Sequence, residues 1–579
     1  MRILIVASAF NSLSQRIFAE LRDHGHSVTV HQTSGDDRLL RQAVQAHAPE
    51  LIVAPMLRTA VPEDVWSRHT CLVVHPGPPG DRGPSSLDWA LHEGAERWGV
   101  TVLQADAVMD GGDVWASADC ALPPETGKSD LYRNEVADAA SAAVLQAVRR
   151  FAAREYRPRP QRGPAWTAVD HDRPYLDQSR RRIDWAADPT AEVLRRLRAA
   201  DSQPGVLDDL LGEQWYLHGG HPEDRLRGRP GELLATRAGA VCRATVDGAV
   251  WIPELRPRRR PGGPAGFKLP AATALGDRLP PLPEEPVPLE LPRDRRTWSD
   301  IRYREQGPVG FLRFAFPGGA MSTSHCRRLL DAYRFACDRP TSVLVLGGGR
   351  DFFSNGIHLN VIEAAADPAE ESWANINAMD DLVQAVLTTT DRVTVAALGG
   401  NAAAGGVMLA LAADEVWCRE GVLLNPHYRL MGLYGSEYWT YTLPRRVGPA
   451  VAARLTEQAL PVTATAARRL GLLDRVLPCA PGDFGREAAR YAGLLASLPL
   501  GQARIAAKKE ARERDEAAKP LAAYRAEELA VMRRNFFGPD EPYHALRSAF
   551  VRKQPAAGAA GPQSAEERLR PPGRGCAGA

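Results

Sequence analysis

The sequence predicts an α/β protein with three folded units: a doubly wound parallel sheet, a small β-barrel-like domain and a second α/β domain. Three observations carry this prediction. Short β-branched runs alternate with helical stretches in the first 150 or so residues, which is the pattern of βαβ units. Short strand-like pieces with Gly-containing turns follow, and a second alternation begins beyond a Pro/Arg-rich segment. A chain of 579 residues is also too long for one core.

The first unit shows the alternation most clearly. Strands are predicted at residues 3–8, 27–31, 51–55 and 72–75, and helices at residues 15–24 and 37–48. In open α/β sheets, ligands bind beyond the carboxyl ends of the parallel strands. His75 lies at such an end and is therefore a candidate functional residue.

The domain boundaries are predicted from changes in composition. A stretch dense in Pro, Arg and Gly is typical of a semi-rigid linker, and a final segment rich in Ala, Gly, Pro and Arg is typical of disorder. We predict a first domain over residues 1–163, a small β-rich domain over 164–256, a linker over 257–296, a second large domain over 297–552 and a disordered tail over 553–579.

The overall composition excludes several classes of function. The formal net charge is +2, so no strong field favours nucleic acid or a membrane surface. The eight cysteines contain no C-x-x-C pair, which argues against a zinc site or a disulfide framework. The chain has no run of about 18 apolar residues, and its N-terminus lacks a signal-peptide pattern. We therefore expect a cytoplasmic protein without nucleic-acid, membrane or metal partners.

The first chemical constellation pairs a histidine with a carboxylate. His75 precedes a Gly/Pro-rich loop, and Asp110 lies in the tight-loop sequence Met-Asp-Gly-Gly further along the chain. A histidine near a carboxylate can move protons at neutral pH. A loop histidine and a turn aspartate that never meet would have the same spacing, so spacing alone leaves both interpretations open.

Residues 1–160 resemble the 10-formyltetrahydrofolate-dependent formyltransferases. Their motif contains a histidine, a Pro/Gly loop, Arg-Gly and Asp-x-Gly, and His75, Arg82 and Asp110 occupy those positions. The resemblance implies 10-formyltetrahydrofolate as one-carbon donor and catalytic roles for His75 and Asp110. The folate-binding residues that it implies are Leu57, Arg58, Thr59, Val61, Arg82, Asp106 and Val108.

One position departs from this motif. The family carries an asparagine two residues before the histidine, and this chain has Val73 there. That asparagine would stabilise the developing oxyanion, an interaction typically worth about 3 kcal/mol. Either another donor, such as His75 as imidazolium, replaces it, or the acceptor is one that needs less help, such as a thiol.

The second constellation consists of two Gly-rich segments, residues 348–359 and 397–414. Small residues at a strand-to-helix junction allow backbone N–H groups to approach a ligand closely. Tight helix packing would explain an isolated Gly-Gly pair equally well. Together, the two segments resemble the crotonase (enoyl-CoA hydratase/isomerase) family over roughly residues 298–480.

The crotonase resemblance implies a thioester site. It places the thioester carbonyl against the backbone N–H groups of Ile357 and Gly405, and it implies coenzyme A (CoA) as a bound molecule. The residues implied for CoA binding are Gly319, Ala320, Met321, Ser354, Gly356 and Gly406.

Both catalytic carboxylates of the hydratases are missing. Met408 and Tyr428 occupy their positions, so water addition to an enoyl-CoA is not expected. Glu437 is a new carboxylate nearby in the sequence, and a Tyr–Glu pair can transfer protons if burial raises the pKa of the glutamate. The alternatives are a core tyrosine and a surface glutamate.

The order of the two halves resembles a family of maturation factors for [NiFe] hydrogenases, with the match carried by residues 75–84 and 434–441. It implies formyl transfer to CoA, then decarbonylation of formyl-CoA to carbon monoxide, and hydrogenase maturation proteins as partners. Two alternatives remain: a formyltransferase with another acceptor joined to a CoA-ester hydratase or hydrolase, and a non-catalytic scaffold that delivers a one-carbon unit.

Overall fold

The first unit is a six-stranded sheet with helices on both faces. The structure is a computed structural model that describes residues 1–33, 35–161, 171–292, 294–497 and 501–554. The sheet has the strand order β2-β1-β3-β4-β6-β7. The strands of this unit are β1 (Arg2–Ala7), β2 (Ser27–Gln32), β3 (Leu51–Met56), β4 (Cys71–His75), β5 (Asp81–Arg82), β6 (Arg97–Gln104), β7 (Val114–Ala121) and β8 (His171–Asp172). Its helices are α1 (Ser12–Asp23), α2 (Asp37–His47), α3 (Glu63–Trp66), α4 (Ser86–His92), α5 (Lys128–Arg133) and α6 (Glu135–Ala153).

Alternate residues of the central strands enter two different cores. Ile3 and Ile5 of β1 pack in the cluster that contains α1 and α6. Leu4 and Val6 pack in the cluster that contains Leu40 of α2. This two-residue alternation confirms the doubly wound sheet. β1 to β4 are parallel as predicted, whereas β6 and β7 form an antiparallel edge that the sequence did not indicate.

The second unit is a small barrel-like domain made of two four-stranded antiparallel sheets, with orders β16-β15-β10-β9 and β11-β14-β13-β12. Its strands are β9 (Val206–Leu210), β10 (Glu213–His218), β11 (His221–Glu223), β12 (Leu233–Arg237), β13 (Ala240–Ala244), β14 (Ala249–Ile252), β15 (Glu254–Pro257) and β16 (Leu269–Pro270). Its helices are α7 (Gln178–Arg181), α8 (Thr190–Ala199) and α9 (Ala271–Leu275).

The linker predicted over residues 257–296 is wrong at residues 269–275 and 283–285, which pack on or pair with the barrel. Leu269 pairs with Leu255 at the edge of the barrel, and Ala271 and Leu275 of α9 are fully buried in the barrel core. The Pro/Arg-rich composition obscured these few apolar positions, which supply enough buried area to fold the segment onto the barrel.

The third unit contains two further sheets. One has the order β17-β18-β19-β21-β23-β26, and the other has the order β20-β22-β24-β25. Its strands are β17 (Ile301–Gln306), β18 (Val309–Phe314), β19 (Val343–Gly347), β20 (Phe352–Ser354), β21 (Val393–Leu398), β22 (Asn401–Ala403), β23 (Glu415–Arg419), β24 (Leu423–Asn425), β25 (Val462–Thr463) and β26 (Arg475–Leu477).

Helices cover this pair of sheets and continue to the end of the described chain. They are α10 (Thr323–Cys337), α11 (Leu359–Ala364), α12 (Pro368–Thr388), α13 (Gly405–Leu411), α14 (Trp439–Val447), α15 (Pro449–Gln458), α16 (Ala464–Leu470), α17 (Phe484–Ser497), α18 (Gly501–Ala518), α19 (Leu521–Phe537) and α20 (Tyr543–Arg552). Residues 555–579 of the predicted tail, and the predicted boundary at residues 163–164, lie outside the described residues.

The first and third units contact each other through polar groups, of which Arg419 and Asn134 are buried. Arg419 of β23 donates to Asp138 on α6 at 2.8 Å and to Asn134 at 3.0 Å. Asn134 in turn donates to the carbonyl of Arg350 at 2.9 Å, and Arg350 pairs with Glu135 at 2.6 Å. The start of α6 is thereby fixed to the Gly-rich loop that precedes β20.

No helix in the described part of the chain is long and apolar enough to cross a membrane. Across the same residues, no group of three or more His, Cys, Asp or Glu side chains is arranged to hold a metal ion.

Two candidate active sites

A cavity of about 860 Å³ opens at the carboxyl ends of β3 and β4 in the first unit. The structure brings most of the residues predicted for the first site to its walls. They are His75, Asp110, Leu57, Arg58, Thr59, Val61, Asp106 and Val108. Arg82 is not among the lining residues of the described chain. Its backbone belongs to the two-residue strand β5, where its carbonyl accepts from the N–H of Arg173 at 3.1 Å.

His75 lies between two carboxylates. Its Nε2 is 2.9 Å from Oδ2 of Asp81, and its Nδ1 is 3.6 Å from Oδ2 of Asp110. The imidazole is 4% exposed. The sequence interpretation missed Asp81, although an acidic residue in an otherwise Gly/Pro-rich loop is a usable signal.

Two loops hold Asp110 in place. Asp110 has a positive φ of 52°, and its Oδ2 accepts from the N–H of Gly83 at 3.3 Å. Gln161 bridges the loops, because its amide donates to the carbonyl of Asp110 at 2.7 Å and accepts from the N–H of Gly80 at 2.8 Å. Val73 lines the same cavity, so an apolar side chain occupies the wall near His75.

The cavity reaches the barrel domain, and one of its lining residues contacts the third unit. Ser202, Gln203 and Pro204 of the barrel domain line one side. Arg133 lines another side, and its guanidinium lies 4.3 Å from the ring centroid of Phe352 and 3.7 Å from the carboxylate of Asp351. The wall of the first site is therefore in direct contact with the Gly-rich loop of the third unit.

Tyr428 and Glu437 form the centre of a second site. The hydroxyl of Tyr428 donates to Oε2 of Glu437 at 2.8 Å. Glu437 is 1% exposed, so the surface-residue alternative is wrong. Burial raises the pKa of Glu437 to about 7. Burial, and then the nearby Glu437 carboxylate, raise the pKa of Tyr428 well above its ordinary value.

The two predicted oxyanion donors lie beside this pair. A Cβ atom on Gly356 would be only 3.1 Å from the backbone nitrogen of Gly405, so the segment that carries Ile357 approaches the start of α13 closely. The backbone N–H groups of Ile357 and Gly405 have no acceptor among the described residues. They are available to bind a carbonyl oxygen.

The residues predicted for CoA binding lie around the place where the segment that carries Ile357 meets the start of α13. The N–H of Met321 donates to the carbonyl of Gly356 at 2.8 Å, and Ser354 contacts the Met321 sulfur at 3.1 Å. The carbonyl of Gly319 accepts from Asn355 at 2.7 Å, and Gly406 packs against the backbone of Ser354. Ala320 lies between Gly319 and Met321. Met321 and Ser354 are fully buried, so their side chains belong to the core that supports these backbone segments.

Two further carboxylates, missed in the sequence, hold the loop that carries Glu437. Asp380 of α12 accepts from the N–H of Glu437 at 2.8 Å, and Glu528 of α19 accepts from the N–H of Tyr438 at 2.9 Å. The hydroxyl of Ser436 contacts both carboxylates. Burial raises the pKa of Asp380 well above its ordinary value and that of Glu528 to about 7. No local sequence pattern relates these distant helices to Glu437.

Family models match each unit of the chain. A formyl transferase model matches residues 11–148, a formyl transferase C-terminal domain model matches residues 175–263, and an enoyl-CoA hydratase/isomerase model matches residues 318–541. The fold and the two sites therefore define a protein that joins a formyltransferase unit to a crotonase unit.

Full-length relatives share this arrangement. The hydrogenase maturation factor HoxX of Bradyrhizobium diazoefficiens is 48% identical, over 96% of this chain and 95% of its own. A crystal structure of HypX from Aquifex aeolicus in complex with tetrahydrofolic acid superposes with a TM-score of 0.91 at 43% identity, covering 96% of both chains. The methionyl-tRNA formyltransferase of Variovorax paradoxus is 27% identical over 39% of this chain and 70% of its own. The chain belongs to the HoxX/HypX family of hydrogenase maturation factors.

Proposed function

We propose that this protein synthesises carbon monoxide for [NiFe] hydrogenase maturation. It transfers a formyl group from 10-formyltetrahydrofolate to the thiol of CoA, and it then splits formyl-CoA into carbon monoxide and CoA. The observation that carries the proposal is the buried Tyr428–Glu437 hydrogen bond beside Gly405, in a crotonase unit with Met408 and Tyr428 at the positions of the hydratase carboxylates.

The first step uses the cavity that contains His75 and Asp110. The solved relative in complex with tetrahydrofolic acid supports a folate substrate. We place its pterin between the loop at residues 57–61 and the loop at residues 106–110, both of which line the cavity. His75 takes the thiol proton as the sulfur attacks the formyl carbon, and Asp110 stabilises the charge that develops on the imidazole. A thiol is acidic enough to require only modest help, which is consistent with Val73 in the wall.

CoA must present its thiol to both sites. The wall at Arg133 connects the folate cavity with the loop that leads to Ser354. Several cationic side chains also lie close together near the cavity. Burial lowers the pKa of Lys553, and the neighbouring cations Lys268, Arg256 and Arg58 lower that pKa further. Converging cations of this kind suit the phosphates of CoA. A pantetheine arm held there is long enough to visit both sites in turn.

The second step breaks two bonds of formyl-CoA. The N–H groups of Ile357 and Gly405 hold the carbonyl oxygen, and ionised Glu437 removes the formyl proton. The C–S electron pair stays with sulfur, carbon monoxide leaves, and the proton returns to the thiolate by way of Glu437 and Tyr428. Enclosing formyl-CoA between the two units protects the thioester from hydrolysis.

The substrates, the cellular location and the partner proteins follow from this function. The protein acts on two small molecules, 10-formyltetrahydrofolate and CoA, in the cytoplasm. It delivers its product to the hydrogenase maturation proteins that assemble the iron centre. We infer these partners from the family to which the chain belongs.

The test is to supply purified protein with 10-formyltetrahydrofolate and CoA and to follow carbon monoxide as carbonylated haemoglobin. We expect gas release over many turnovers, dependent on CoA, and release from added formyl-CoA without the folate. Turnover limited to one equivalent of donor would instead indicate a delivery scaffold. Consumption of the donor with formate or another formylated product, and no gas, would indicate a different acceptor or a hydrolase.

A further inference from the structure

The loop after β4 carries a buried carboxylate, Asp81, beside His75. The side chain of Asp81 has no exposed surface, and its Oδ2 lies 2.9 Å from Nε2 of His75. This contact is shorter than the 3.6 Å between Nδ1 of His75 and Asp110. Asp81 is therefore the carboxylate that is hydrogen-bonded to the imidazole in this structure.

The local backbone is shaped around this hydrogen bond. A Cβ atom on Gly77 would overlap with Oδ2 of Asp81 and lie 2.5 Å from Nε2 of His75. The carbonyl of Gly77 accepts from Thr101 at 2.7 Å, and the N–H of Asp81 donates to the carbonyl of Pro78 at 3.0 Å. The backbone of Gly77 therefore lies directly against the hydrogen bond between His75 and Asp81. The loop places the Asp81 carboxylate close enough to bind the imidazole without a bridging water.

The hydrogen bond decides which imidazole nitrogen is available. An ionised carboxylate only accepts hydrogen bonds, so Nε2 of His75 carries a hydrogen. In the neutral ring, Nδ1 then holds the lone pair. The 3.6 Å separation between Nδ1 and Asp110 is too long for a hydrogen bond. It leaves Nδ1 able to exchange a proton with a substrate in the cavity that His75 lines.

We propose that Asp81 is the positioning residue of the formyl-transfer site, and that it makes Nδ1 of His75 the nitrogen that carries the proton. The proposal rests on the proposed function. Nδ1 takes the thiol proton while the sulfur forms its bond to the formyl carbon, and it returns that proton to the folate nitrogen when the C–N bond breaks. Asp81 stabilises the imidazolium between these two events, in the way that a buried carboxylate supports a catalytic histidine in hydrolases.

The kinetic test compares Asp81→Asn with Asp113→Asn, a matched change at an exposed carboxylate. We expect Asp81→Asn to lower kcat for formyl transfer by about 10²- to 10⁴-fold, because the amide no longer fixes the tautomer. The KM for 10-formyltetrahydrofolate should stay within about twofold, and decarbonylation of added formyl-CoA should not change. Gly77→Ala, which displaces the pair without altering either partner, should cause the same selective loss.

A spectroscopic test is independent of turnover. In protein labelled with ¹⁵N-histidine, the His75 ring signals are assigned by their absence in His75→Gln. We expect the Nε2–H tautomer in the wild-type protein and a changed tautomer distribution in Asp81→Asn. If the wild-type protein transfers no formyl group, the proposed function fails, and the tautomer still decides the role of Asp81. Unchanged kcat, an unchanged tautomer, or equal loss of both half-reactions with a lowered melting temperature would overturn the proposal.

Discussion

The carboxylate of Glu437 lies against the bare Cα of Gly405, so closely that a Cβ atom there would overlap with its Oε1. The two groups occupy neighbouring positions because residue 405 has no side chain and because Glu437 adopts a positive φ of 59°. The proposed base and one proposed oxyanion donor are therefore in contact. A thioester carbonyl bound at Gly405 would bring its formyl carbon next to the carboxylate.

Gly405→Ala should therefore disable the second step without affecting the first. The added methyl group displaces Glu437 from the start of α13, and we expect carbon monoxide release from formyl-CoA to fall by at least about 100-fold. Formyl transfer to CoA should be unchanged. Gly485→Ala is the matched control, since a Cβ atom at this helical glycine meets nothing within 4 Å. Normal gas release by Gly405→Ala would show that the contact has no part in decarbonylation.

Tyr428→Phe removes the hydroxyl that donates to Glu437 and leaves the ring in place. Because general acid–base groups typically contribute about 10²- to 10⁴-fold, we expect a loss of gas release in that range, and a similar loss in Glu437→Gln. The assay is single-turnover decarbonylation of added formyl-CoA. Tyr434→Phe is the control, because that tyrosine is 40% exposed. Wild-type rates in Tyr428→Phe or Glu437→Gln would remove the respective assignment.

The parallel strands of the first unit could be predicted because each is a short, continuous apolar run between turn residues. The structure places β1 at Arg2–Ala7 and β4 at Cys71–His75, close to the predicted ranges. The position of His75 at the end of β4 follows from the same pattern. The barrel edge at Leu269–Pro270 could not be found in this way, since it is two residues long and follows a stretch dense in Pro, Arg and Gly.

The residues that surround the candidate sites were harder to predict from the sequence. Asp380 and Glu528 lie on helices far from Glu437 in the chain, and only tertiary packing brings them to its loop. The positive φ values of Glu437 and Tyr438 also have no glycine to indicate them. Both conformations are fixed by the backbone hydrogen bonds to these two carboxylates, which compensate for the local strain.

The raised pKa of Glu437 predicts how the free energy of unfolding depends on pH. Its pKa is about 7 in the folded protein against an ordinary value of 4.5. Between these values the folded state binds more protons than the unfolded state, so stability falls as the pH rises. The contribution is fully present below about pH 4.5 and is lost as the pH rises through about 7.

Glu437→Gln should abolish this part of the pH dependence. We expect the variant to gain stability relative to the wild-type protein on going from pH 5 to pH 8, by roughly 2.5 kcal/mol for a shift of this size. Urea unfolding of both proteins at several pH values measures the difference. Glu370→Gln, in the first turn of α12, serves as a control for the loss of one carboxylate. Parallel stability curves for wild type and Glu437→Gln would contradict the raised pKa.

Asp138 makes one of the ion-pair contacts between the two enzymatic units. Its carboxylate binds Arg419, whose side chain is 2% exposed, and Arg16, whose side chain is 9% exposed. Removing one partner of a buried ion pair is costly because the remaining charge stays buried. Asp138 itself is 32% exposed, and this exposure reduces the effect.

Asp138→Asn should loosen the junction between the two sites. We expect a loss of about 2 kcal/mol in unfolding free energy. We also expect leakage of the intermediate, because Arg419 would lose its charged partner on α6, the helix whose start binds the loop at Arg350. With 10-formyltetrahydrofolate and CoA as substrates, the ratio of formyl-CoA plus formate to carbon monoxide should rise, while each half-reaction alone keeps its rate. Asp119→Asn, which alters an exposed ion pair in the same unit, should leave that ratio unchanged. A variant that is less stable but retains the wild-type ratio would show that this ion-pair junction does not confine formyl-CoA.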